Sequence, residues 1–231
     1  MTTASIAQPV AFREYRLPRV LFLLFAVVWV ISAIHPVMVS DWWLENMLVF
    51  LLVGFLIAGY RWLPFSELSY LLIFVYLSMH EWGAHHMYAN VPLGEWMKVT
   101  FHTVRNDYDR VVHFAFGALL AYPQREILMR KANVRGAWAL GLPIVITLGL
   151  SAAYELLEAV AANLAGPELA DGFLSLQGDP WDTHKDMFMG LLGAAVCMGV
   201  TALGVRMRES RTMAFAAAAG RGGRHSGPQG R

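Results

Sequence analysis

An all-α, polytopic membrane bundle of about six helices, with both termini cytoplasmic, is the fold that this sequence predicts. Three observations predict it. The residues are 57% hydrophobic and 15% charged, with a mean hydropathy of +0.45, too apolar for an ordinary soluble domain of 231 residues. The apolar residues gather into six runs, each near the roughly 17–25 residues that cross a bilayer. Lys and Arg concentrate between alternate runs, as the positive-inside rule requires.

The first run, Val20 to Val39, follows Arg13, Arg16 and Arg19. It exceeds the roughly 7–15 residues of a signal-peptide core, and no small-x-small cleavage site follows it cleanly, so an uncleaved helix is expected. Trp43 to Tyr60 is the second run, closed by Arg61, and Glu67 to Tyr88 the third. Asp109 to Met129 is the fourth, followed by Arg130, Lys131 and Arg135. Gly136 to Leu164 is the fifth and His184 to Met207 the sixth, with Arg206, Arg208 and Arg211 at its end. These basic ends are the expected cytoplasmic sides. The first loop carries only Asp41, and the fifth carries Glu168, Asp171, Asp179 and Asp182 without Lys or Arg, so both are expected outside. Loop three holds Lys98 and Arg105, yet the alternation of six spans places it outside too.

Three regions result: a cytoplasmic arm over 1–19, a six-helix transmembrane domain over 20–208, and a tail over 209–231. The tail, an Ala run followed by Gly, Arg, Ser and Pro, is expected to be disordered because it offers little to bury. A net charge of +1 excludes a strongly basic nucleic-acid binder, so the expected partner is the lipid bilayer. The single cysteine, Cys197, excludes an internal disulfide and a Cys-based zinc site.

Ionisable residues at membrane depth are expensive, and here they gather at one end of the runs. His80, Glu81 and His85 end the third run, and Glu81 and His85 share a helix face by their four-residue spacing. Asp109 and His113 repeat that spacing at the start of the fourth, Glu155 and Glu158 lie three apart in the fifth, and Asp182 and Asp186 open the sixth. Carboxylates and imidazoles so paired on facing helices are how bundle cores hold metal ions. A divalent cation would also relieve the mutual repulsion of several carboxylates in a low dielectric. The expected ligands are His80, His85, Asp109, His113, Asp182 and Asp186, with Glu155 and Glu158 as catalytic carboxylates and Glu81 beside them. Zinc, iron and manganese are not distinguishable. No His-Glu-x-x-His string is present.

Each residue also has a structural alternative. His80 and His85 could bond backbone carbonyls, Asp109 and Asp182 could act as helix caps, and Arg105 or Arg110 could neutralise a buried glutamate in an ion-pair lock. In loop five, Gly178-Asp179-Pro180-Trp181 reads as a turn that delivers Asp182 to a helix start, with Gln177 and Asp179 facing the outer pocket and Trp181 at interface depth.

Several ordered strings are similar to one known family. They are Gly83-Ala84-His85, Tyr88-Ala89, Val91-Pro92-Leu93-Gly94, Arg105-Asn106-Asp107-Tyr108-Asp109 with His113-Phe114, Arg125-Glu126, Ser151-Ala152-Ala153-Tyr154-Glu155-Leu156-Leu157-Glu158, and Gln177-Gly178-Asp179 with Trp181-Asp182-Thr183 and Asp186-Met187. From about Trp43 to Gly204 the chain resembles the DUF2238 (YjdF) family of bacterial inner-membrane proteins. The resemblance implies a multi-pass protein of the cell inner membrane and assigns no activity. His86, where the family usually has an aromatic residue, and His184, usually Gln, depart from the pattern and are weaker ligand candidates. Asp109, His113, Asp182 and Asp186 also resemble, more loosely, VanZ-type membrane proteins, whose role touches glycopeptide resistance of the envelope.

Two function classes follow. One is a metal-dependent hydrolase or transferase acting on a lipid or small envelope substrate, with a metal-bound water as nucleophile. The other is a proton- or cation-coupled transporter, against which the one-sided placement of the polar residues counts. A structural membrane protein without catalysis is the remaining alternative.

Overall fold

A computed structural model describes residues 16–165 and 179–222. Among them the secondary structure is entirely helical: α1 (Arg16–Ser32), α2 (Val39–Gly59), α3 (Glu67–His85), α4 (Pro92–Phe101), α5 (Tyr108–Lys131), α6 (Trp138–Ala165) and α7 (Asp182–Gly222). The six long helices fall on the six expected runs, though α1 starts at Arg16 and stops at Ser32, seven residues short of the expected end at Val39. Three are able to cross a membrane by length and composition alone: Val39–Gly59, Trp138–Leu164 and Asp182–Met213. The protein is thus an all-α, polytopic membrane bundle.

The other long helices miss that criterion for visible reasons. α1 has only 17 residues. α5 carries Asp109, Arg110, Arg125 and Glu126, and tolerates them by occupying the middle of the bundle, where only its last two residues are exposed. α2 begins at Val39 rather than Trp43, so Asp41 lies inside its first turn, buried, and not in a loop. α7 continues through 209–222, into the stretch assigned above to the tail; residues 223–231, and the arm before residue 16, lie outside those described.

Local chemistry sets several ends. Ser66 caps α3 by accepting the Ser69 N–H. Pro92 stands in the first turn of α4, where its missing N–H costs nothing, and α4 stops at His102 in the left-handed conformation. Packing joins α5 to α3, α6 and α7, α6 to α7, and α3 to α1 and α2, while α2 and α6 are not closely packed.

The α5–α7 contact is the tightest. A Cβ on Gly117 would lie 2.0 Å from the Gly190 carbonyl oxygen, and one on Gly193 2.1 Å from that of Phe114. Only glycine permits this approach, the small-residue packing of membrane helices. One turn from these glycines lie His113 on α5 and Asp186 on α7.

At the Arg-rich end, Glu126 accepts the Ser66 N–H at 2.9 Å and the Ser69 hydroxyl at 2.5 Å, and pairs with Arg130. That network fixes the start of α3 on α5.

Candidate metal centre

The glycine contact brings together Asp109 and His113 from α5 and Asp186 from α7. One ligand atom from each lies within 4.8 Å of the other two. The Nε2 of His113 stands 3.5 Å from Asp109 Oδ1 and 3.7 Å from Glu155 Oε1, which α6 supplies. Glu155 Oε1 and Asp186 Oδ1 are buried without a hydrogen-bond partner among the described residues, as is the Ser151 hydroxyl. Three carboxylates around one imidazole leave an excess of buried negative charge, the condition that a divalent cation would relieve.

Asp182 is 2% exposed and differs from Asp186 in having cations at hand. It pairs with Arg105 and lies 3.4 Å from Arg110. Arg105 also approaches Asp107 at 3.7 Å and Asp109 at 3.8 Å, and Arg110 bonds Asp107 at 2.7 Å and Asp179 at 2.5 Å. Lys185 bonds Asp179 at 2.5 Å. These side chains form a charged rim over the Asp109, His113 and Asp186 group. Asp179 lies outside the spans, and its carboxyl is held down at about 2 by the hydrogen bond from Lys185 first, then by the Trp181 N–H and Arg110. Trp181 is exposed beside it, and Gln177 lies outside the described residues.

His80 and His85 stand apart from that three-residue group. His80 Nδ1 shares a 2.7 Å hydrogen bond with the Tyr88 hydroxyl, and its Nε2 lies 3.3 Å from the Glu45 carbonyl oxygen and 3.8 Å from Glu45 Oε2. Gly83 makes room for this: a Cβ there would strike the Tyr88 ring at 2.4 Å. Glu81 and His85 do share a face, and both meet α1, Glu81 accepting the Ser32 hydroxyl at 2.5 Å and His85 Nδ1 lying 2.9 Å from the Ser32 carbonyl oxygen. The His86 ring meets the Trp82 carbonyl oxygen at 3.0 Å and packs edge-on against His85. Glu158, one turn beyond Glu155, is half-buried beside Tyr154 and Glu45.

Glu45 was not singled out from the sequence, and Tyr88 and Tyr154, whose hydroxyl donates to Glu45 Oε2 at 2.9 Å, entered only within the family strings and not as site residues. The available signal was the four-residue spacing of Asp41 and Glu45, hidden by starting the second span at Trp43.

A cavity of about 410 Å³ lies against the site. His80, Tyr88, Asp109, His113 and Tyr154 line its polar end, and mostly apolar side chains of α2, α3, α5 and α6 line the rest, with Gln124 at the far end. Its size is that of a small-molecule site.

Comparison with known proteins agrees with the fold. The family model for "Predicted membrane protein (DUF2238)" matches residues 17–208. "Inner membrane protein YjdF" of Escherichia coli (strain K12) is 42% identical over 158 residues, which cover 66% of this chain and 73% of that relative. No solved structure matches. The chain belongs to the DUF2238 family of predicted membrane proteins and is, like its Escherichia coli relative, a protein of the inner membrane.

Proposed function

We propose that this protein is a metal-dependent hydrolase or transferase acting on a lipid or cell-envelope substrate at the outer end of the bundle. The observation that carries the reading is the approach of Asp109, His113 and Asp186 to within one ion's coordination sphere. The unpartnered buried oxygens of Asp186 and Glu155 support it independently. One imidazole and two carboxylates suit zinc, iron or manganese and leave positions open for water and substrate. A bound ion would supply a water of lowered pKa and would polarise the carbonyl or phosphoryl oxygen.

Glu155, beside His113, would act as general base, accepting a proton from the attacking water as that water's oxygen bonds to the electrophilic carbon or phosphorus and returning it to the departing oxygen. Glu158 is a further carboxylate one turn away. Arg105 and Arg110, paired with Asp107, Asp179 and Asp182, hold the rim together above the site, and His80 with Tyr88 holds its floor. His85 and Asp182 act as positioning residues here. Transport finds less support: between His113 and Gln124 the cavity wall on α5 is Phe116, Leu120 and Pro123, all apolar.

Metal analysis tests the reading. Protein purified in detergent without chelator is expected to hold one divalent ion per chain, lost in Asp186→Asn and His113→Gln and kept in His80→Gln. Metal-free wild-type protein, or metal indifferent to the first two changes, would sink it.

A further inference from the structure

The cavity beside the site is long and narrow. Its lining runs along α5 from Asp109 and His113 to Gln124 and Ile127. At 1.5 Å per residue this is about 27 Å of helix axis, close to the hydrocarbon thickness of a bilayer. Over that length a cavity of about 410 Å³ is a slot rather than a round chamber. A slot of this shape suits one extended hydrocarbon chain lying along the helices.

One side of the cavity is open. α3 and α5 form its back, and α2 and α6 its flanks without packing on each other. Leu51 and Phe55 on α2 and Leu150 and Leu157 on α6 line it, yet are 68%, 49%, 48% and 56% exposed. In a bilayer, the surface they are exposed to is hydrocarbon. At the polar end of the opening the Tyr154 hydroxyl ties α6 to Glu45 of α2.

We propose that this opening admits a single-chain membrane lipid sideways from the bilayer. Its one acyl or isoprenyl chain lies in the cavity, and its headgroup reaches Asp109, His113 and Tyr154. An apolar slot at this depth gains dispersion contacts when a chain fills it, and no water competes for it. The chemistry at the headgroup rests on the enzyme reading above, whereas occupation of the slot by the chain does not need the metal.

Full-length protein in nanodiscs, irradiated with three diazirine-tailed phosphate lipids, tests this. The probes carry one acyl chain, one isoprenyl chain or two acyl chains, and adducts are mapped by mass spectrometry. Single-chain adducts are expected on Leu52, Phe116 and Leu120, and the arm that gives them identifies the chain type. They are expected to be lost in Leu120→Trp, which fills the slot, and in Ala153→Trp. Ala153 lines the opening and is exposed, so its replacement leaves the core packing alone. Three results would each overturn the proposal: cavity adducts from the two-chain probe alone, adducts confined to outward positions such as Phe22, Val75 and Leu203, or cavity adducts unchanged in the folded Trp variants. Metal content is measured in the same samples. Metal-free protein that still labels in the slot overturns the enzyme reading alone, and metal-loaded protein that does not label there overturns this one alone.

Discussion

Asp182 and Asp186 lie one helical turn apart, equally buried, and meet different fates because of one side chain. Arg105, 5% exposed, reaches Asp182 and leaves Asp186 to the His113 group. Removing one partner of a buried pair strands the other charge, at a cost of about 3–5 kcal/mol. Arg105→Met is therefore expected to destabilise the protein toward the lower end of that range, since Arg110 remains 3.4 Å from Asp182. Adding Asp182→Leu should recover most of the loss, as judged by unfolding in mixed detergent micelles. Equal losses in the single and double variants would argue that the pair is not coupled. Asp179 gives a pH prediction with a definite sign. Its folded value of about 2 lies below the ordinary aspartate value, so its contribution is complete above roughly pH 4 and fades as the pH falls through 2. A carboxyl-carbon NMR titration should place its midpoint near 2 in the wild type. In Lys185→Gln, which removes the largest cause, the midpoint should move upward toward 4.

Between helices, the geometry of the site depends on glycines. Gly117 and Gly193 let α5 and α7 touch backbone to backbone, and His113 and Asp186 face each other nearby as a result. A methyl group at Gly193 would meet the Phe114 carbonyl at 2.1 Å, a clash that only backbone movement relieves. Gly193→Ala is expected to cost about 1–3 kcal/mol by overpacking, and to reduce retained metal, because the helices must part. Gly199, on the same helix with open space around it, is the control: Gly199→Ala should be neutral or gain up to about 1 kcal/mol from helix propensity. If both alanine variants behaved alike in thermal unfolding, the close contact would not be what sets the site. This dependence also explains which part of the site was legible in the sequence. The pairing of Asp109 with His113 followed from four-residue spacing within one helix. That Asp186 would join them, while Asp182 went to arginines and His80 to Tyr88, depends on how α7 and α3 are rotated against α5. Spacing along one chain segment carries no such information, and Glu45 was overlooked for a related reason, its helix starting a turn earlier than its apolar run.

For the molecule as a whole, the bilayer made the fold legible: a span needs a minimum apolar length, and six runs of that length gave six long helices at the expected places. The basic residues were harder to read. Loop three weakened the charge argument through Arg105, and Arg110 and Lys185 add cations to the same end. All three are committed to the rim, where Asp107, Asp179 and Asp182 neutralise them. The Arg-rich end, with Arg61, Arg125, Arg130, Lys131 and Arg135, has among these partners only Glu126, which takes Arg130. An end whose cations are matched by acids carries little net bias, so the remaining asymmetry favours the Arg-rich end inside and the His/Asp end outside. Cysteine labelling of whole cells decides this orientation. With Cys197 replaced by Ala, a single cysteine at Val104, which is 93% exposed next to the rim, should react with a membrane-impermeant maleimide on intact spheroplasts. One at Ala132, exposed just past the end of α5, should react only after permeabilisation. The opposite pattern would turn the site toward the cytoplasm, remove envelope substrates outside the membrane from consideration, and leave the sideways route through α2 and α6 as the way a lipid could still reach it.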